Sequence, residues 1–163
     1  MKARVGHIAT TWWGHAYAIA AFDTRIEIWD TRTLHRNAAF DTCYDYGGAR
    51  VAIAPNGDAV LVGSYRRRLV ALYDAAKGAV RWTCTKLGHV HSVAFDPVNG
   101  DILVRAGDAG AMHIDPVNGE LVNQYRNALR FEVSPLHEGF GLCEFSKFLS
   151  LSARVSGKRL WDV

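Results

Sequence analysis

Cysteine is scarce in this 163-residue chain, and the three present, Cys43, Cys84 and Cys143, are odd in number and far apart. Neither a disulfide framework nor a Cys-x-x-Cys metal or redox pair can be built from them. Free thiols suit a reducing compartment, so a cytoplasmic location is expected. No stretch approaches the roughly 20 apolar residues of a spanning helix, and no membrane association is expected. The apolar run that ends at Phe22 imitates a secretory leader, but His7, Thr10, Thr11, Gly14 and His15 interrupt it and fit a folded strand pair better. Signatures of catalysis are missing as well: there is no Gly-x-Ser-x-Gly, no phosphate-binding Gly-Lys loop and no His-Glu-x-x-His. No enzyme activity and no cofactor are therefore expected. Basic residues exceed acidic ones only by 19 to 16, without a concentrated stripe, so nucleic acid is not an expected partner. Also lacking is any dozen-residue window with apolar side chains at helical spacing, and helix content should be very low.

What the chain does have is repetition. Ile28-Trp29-Asp30, Leu72-Tyr73-Asp74, Ile114-Asp115 and Leu160-Trp161-Asp162 close four segments whose final Asp residues recur every 41 to 47 positions. A second landmark keeps step: Val51-Ala-Ile-Ala-Pro-Asn-Gly-Asp58 returns as Val93-Ala-Phe-Asp-Pro-Val-Asn-Gly-Asp101, and Phe131-Glu-Val-Ser-Pro135 opens a third copy. Within a period, short alternating runs are separated by turn residues. The Asn-Gly pairs at 56–57, 99–100 and 118–119 can take the positive φ of tight hairpins, and all four prolines fall at such turns. Four short antiparallel strands per period of 40–45 residues is the blade of a β-propeller. The expected fold is thus all-β, a single domain over 1–163 with repeats at about 4–45, 46–88, 89–128 and 129–163. A β-sandwich also has many short strands, but it needs no internal repetition.

The third repeat, Gly88-His89 through Ser92, Asp96-Pro-Val-Asn-Gly100 and Gly107-Asp108 to Ile114-Asp115, resembles the WD-repeat family. The first repeat carries the closing half, Asp23 followed by Trp29-Asp30. The resemblance implies a blade-internal hydrogen-bond network using His89 and Asp108 in one blade and Asp23 with Trp29 in another. Ile114 stands where Trp belongs, and Arg67 and Val155 stand at the Asp position of repeats two and four. Packing must then hold those blades. Asp74-Ala-Ala-Lys-Gly78 to Trp82 is similar to turns of quinoprotein-like propellers.

Four blades are fewer than the six to eight of common closed rings, and an unclosed stack leaves two blade faces wet. Trp161-Asp162 reads as the end of a third strand, so an outer strand is expected to be missing there. Residues 1–6 could supply it. A second copy could instead pair with this one in an eight-bladed ring, or the chain could be a piece of a longer propeller or a half-ring that another chain completes; completion by a homo-oligomer or a further chain is the expectation.

Three groups of residues are candidates for function. Arg66, Arg67 and Arg68 form the only basic run; they suit either a solvated loop that blunts an edge or a contact with an anion or acidic partner. Trp12 and Trp13 are adjacent and so face opposite ways on a strand, one packing between blades and the other either on the second blade-to-blade face or exposed as a partner anchor. His89 and His91 share a strand face, yet no third ligand sits at a metal-binding spacing, and no metal is expected. The 11 Asp residues lie mostly at turns, where their carboxylates cap backbone amides. Together these features describe a non-catalytic protein-interaction module that binds a protein partner through blade loops and an open terminal edge. A toxin-neutralising immunity or inhibitor protein, and a propeller enzyme of lactonase or quinoprotein type, are the readings from other classes.

Overall fold

A computed structural model of the chain describes residues 5–11, 16–21, 24–42, 49–85, 87–126, 128–133, 140–144, 149–152 and 159–162; side chains are described mainly between 24 and 126. Four antiparallel sheets follow one another along the chain, each a simple meander of four strands. Blade one contains β1 (Val5–Thr10), β2 (Ala16–Ala21), β3 (Arg25–Asp30) and β4 (Arg36–Asp41). Blade two contains β5 (Arg50–Ile53), β6 (Ala59–Ser64), β7 (Leu69–Asp74) and β8 (Val80–Cys84). Blade three contains β9 (Val90–Phe95), β10 (Ile102–Ala106), β11 (Ala111–Ile114) and β12 (Leu121–Tyr125). Blade four contains β13 (Ala128–Val133), β14 (Phe140–Glu144), β15 (Leu149–Ser152) and β16 (Arg159–Asp162). The helical content among the described residues is one 3-10 turn, Gly107–Ala109.

The fourth blade corrects one expectation. Trp161-Asp162 does not close a third strand: it belongs to β16, which pairs with β15 as the outer strand. The Leu160-Trp161-Asp162 triplet resembles the ends of β3 and β7, but here it lies on the outer strand. The outer strand expected to be missing is present.

Alternation along the strands divides the core into layers between blades, because successive side chains on a strand point to opposite faces. On β6, Val60 and Val62 join Ile26 and Ile28 of blade one, whereas Ala59 and Leu61 join Ile102 and Val104 of blade three. On β7, Ala71 and Tyr73 go one way and Val70 and Leu72 the other. Every residue of β6 is therefore buried. Each large apolar side chain buried this way contributes about 1.5–3 kcal/mol, which makes blade two the stiff centre of the array. The layer between blades three and four is thinner among the described residues and gathers Leu103, Ala111 and Ala128 with Tyr125, Phe131 and Val133.

A turn motif recurs at one end of the blades. Asp30, Asp74 and Asp96 each accept two backbone N–H bonds through Oδ1, from the residues two and three positions on, and Asp115 accepts one from Val117. Four residues after each Asp, the backbone N–H of Leu34, Gly78, Gly100 or Gly119 returns to that Asp's carbonyl at 2.8–2.9 Å, with φ between 56° and 79°. In the Asn-Gly pairs, only the glycines take positive φ. The Gly119 turn also carries an inter-blade contact: the Trp82 indole lies flat against it and donates Nε1–H to Pro116 O at 2.9 Å.

Candidate interaction surface

The meander sends alternate loops to opposite ends of the blades. The Asp-capped turns lie at one end. At the other lie the β6–β7 turn, Tyr65 to Arg68, and the β8–β9 connection that carries His89. Among the described residues the two ends differ in charge. Asp30, Asp58, Asp74, Asp96, Asp101, Asp115 and Glu120 all sit at the capped end, where Arg81 bridges Asp58 and Asp74 at 3.4 and 3.3 Å. Arg50, Arg66, Arg67, Arg68 and Arg105 sit at or near the opposite end, together with His89 and His91.

The arginine turn is short. Arg67 N–H donates to Ser64 Oγ and Arg68 N–H to Ser64 O, both at 3.1 Å, and Tyr65 through Arg68 are exposed. His89 reaches across from blade three. Its Nδ1 lies 2.9 Å from Tyr65 O and its Nε2 lies 3.3 Å from Arg68 Nη2. A carbonyl only accepts and a guanidinium only donates, so Nδ1 carries the hydrogen and Nε2 accepts from Arg68. Tyr65 stacks on the His89 ring at 4.4 Å and meets the His91 ring edge-on at 5.2 Å. Arg50 Nε donates to His91 O at 2.8 Å, and Val51 N–H donates to His7 Nδ1 at 3.4 Å. These contacts join the inner strands β1, β5 and β9. Burial, and then the Arg105 and Arg50 charges, push the His91 imidazole below its ordinary pKa; burial and then Arg50 do the same to His7.

Both His89 ring nitrogens thus engage the neighbouring blade's turn, and the side chain of Asp108 lies outside the described residues. Trp12, Trp13 and Asp23 also lie outside them. Trp29 stacks parallel to Tyr17 with centroids 6.4 Å apart. Among those residues no three His, Cys, Asp or Glu side chains gather as a metal site. Sequence reasoning left out Tyr65, Arg50 and Arg105. A polar residue opening an inner strand, as Arg50 opens β5, was the available signal.

Two cavities complete the surface. One, of about 370 Å³, is lined by residues of all four inner strands, including Thr10, Ile53, Phe95 and Val133, and so marks the axis of the array. The other, of about 530 Å³, lies between blades two and three at the capped end, beside Pro55, Arg81 and the exposed Val98 and Val117. Contacts join blade one to two, two to three and three to four; among the described residues no comparable contact joins four to one.

No family model and no curated protein matches the chain. Solved structures do. All of the chain superposes on the β-propeller domain of Cps50 (Swd1) from Myceliophteria thermophila, with a TM-score of 0.80 and 11 % identity. The chain covers 55 % of that neighbour's length. At this identity the likeness carries the fold alone. Among the described residues, sixteen strands in four consecutive meanders, superposable on a WD40 propeller domain and with no comparable contact from blade four to blade one, give this chain the fold of a WD-repeat-like β-propeller.

Proposed function

We propose that the chain is a non-catalytic interaction module that binds a protein partner through the loops of its cationic end. The observation that carries this reading is the Tyr65–Arg68 turn. It presents three exposed arginines and a part-exposed aromatic ring on β6 and β7, strands buried almost throughout, so the display is held without a flexible stem. Arginine and tyrosine are the residue types that most often dominate protein interfaces, and forked guanidiniums match carboxylate geometry. The WD40-type fold supports the same reading by analogy. Replacing Arg66, Arg67 and Arg68 together with Ala should lower the yield of the co-purifying partner, identified by mass, by about tenfold or more. Unchanged capture removes the turn from the interface.

A second association is favoured by the contacts between blades. A chain covering 55 % of a propeller and lacking four-to-one contacts among its described residues has two flanks that a second copy could cover. Light scattering distinguishes the cases: about 36 kDa, twice the 18.0 kDa chain, marks the pair, and 18.0 kDa argues against it.

A further inference from the structure

The geometry points to an oxyanion-binding site at the cationic end, formed by Arg68, His89, Tyr65 and His91, which takes a phosphate or carboxylate group carried by the partner. It rests on the interaction-module reading and names the chemistry that the partner must present.

Three observations converge on it. First, Arg68 holds a backbone conformation that its residue type disfavours, with φ at 55°. The residue just before the third strand takes positive φ in three blades; it is Thr24 in blade one and Gly110 in blade three. An arginine there costs about 1 kcal/mol or more against glycine, so an observed outlier of this kind is a reason to look for a use of the side chain. Second, His89 accepts one N–H of the Arg68 fork, which fixes the guanidinium beside the Tyr65 ring and leaves its other N–H groups for a ligand. Third, among the described residues no carboxylate pairs with Arg66 or Arg68, both of which are exposed. Forked guanidiniums left without a carboxylate match the geometry of phosphate and carboxylate groups. Burial, and then the Arg105 and Arg50 charges, hold the His91 imidazole below its ordinary pKa, and a bound anion would act in the opposite direction.

The test uses the full chain, with histidine ring resonances followed by NMR while inorganic phosphate and, separately, a hexaglutamate peptide are added. The expected result is a saturable shift of His89 and His91 with at least one of the two, and a rise in the His91 titration midpoint on binding. Phosphate alone marks a phosphorylated partner; the peptide alone marks a carboxylate-rich one. R68G places glycine where blade three already has it, so the variant should melt near the parent temperature while binding falls about tenfold. R32A at the opposite end should leave binding unchanged. Absence of any saturable shift, or parental affinity in R68G, overturns the site. Oxyanion binding by a chain that captures no protein retains the site and rejects the module; partner capture without oxyanion binding does the reverse.

Discussion

The two ends of the blades are built on opposite terms. At the capped end, polar groups satisfy one another: carboxylates accept backbone amides, Arg81 spans two of them, and the Trp82 indole closes on a neighbouring carbonyl. At the cationic end, arginines predominate, Arg105 Nε makes no hydrogen bond among the described residues, and Arg68 is held at positive φ. One end is made for cohesion. The other keeps unmet bonding capacity on a rigid base, and unmet capacity is what a binding surface requires. Substitutions should separate the two: at the capped end they should cost stability, and at the cationic end they should cost binding.

The largest effect is expected at Gly119. Its φ is 75°, and a Cβ there would sit 2.7 Å from the Trp82 ring. Gly119→Ala therefore adds an overpacking penalty to the backbone cost, for a total of about 2–4 kcal/mol in chemical denaturation. Gly57 provides the internal control. Its φ of 76° is nearly the same, but nothing lies within 4 Å of the added carbon, so Gly57→Ala should cost only about 1 kcal/mol. Equal losses at the two sites would show that the Trp82 contact contributes nothing to the joint between blades two and three.

Much of the cohesive end was legible in the sequence. Asp96-Pro-Val-Asn-Gly100 and Asp115-Pro-Val-Asn-Gly119 are the same five residues, and both fold into the same capped turn. Such a turn is local, since its hydrogen bonds close within five residues, and so its composition announces it. The blade period was legible for the same reason. The binding end was not. Arg50, Tyr65, His91 and Arg105 span 55 positions, and only the curvature that sets β5, β6, β9 and β10 side by side brings them together. The arginine triplet could be seen, but not the positive φ at Arg68 or the imidazole that holds its guanidinium. The fourth blade failed in a different way: Leu149-Ser-Leu-Ser152 has no landmark at its close, so the reading fell on the next triplet, Leu160-Trp161-Asp162.

A smaller effect should appear in acid. Backbone N–H groups of Arg32 and Thr33 hold Asp30 below its ordinary pKa of 3.8, and the Lys77 N–H, assisted by the Arg81 side chain, does the same for Asp74. A carboxyl whose pKa is depressed by folding stabilises the native state fully above the unfolded value and loses that contribution as pH falls through the folded one. The dependence should therefore lie below about pH 4. D30N/D74N keeps an acceptor oxygen in each turn but removes the titration, so its stability should fall less steeply than the parent's between about pH 4 and pH 2. Parallel profiles in urea denaturation would mean that the caps do not hold charged carboxylates.

The smallest effect, and the sharpest for the contrast between ends, is at Leu34. It occupies the position that glycine holds in the other three capped turns, with φ at 56°, and its side chain is 69 % exposed. Unlike Arg68, it touches nothing that a partner would need, so its strained backbone has no compensating use on view. Leu34→Gly relieves the left-handed conformation while adding chain entropy to the unfolded state, two effects of similar size and opposite sign. Relief should prevail by about 0.5 kcal/mol, seen as a slightly higher denaturation midpoint with an unchanged slope. R68G is the matched experiment at the other end. If both variants gain or hold stability while only R68G loses oxyanion binding, positive φ at a non-glycine residue is incidental in blade one and functional in blade two. A loss of about 1 kcal/mol in Leu34→Gly would show instead that these turns tolerate side chains freely, and the conformation of Arg68 would then say nothing about its use.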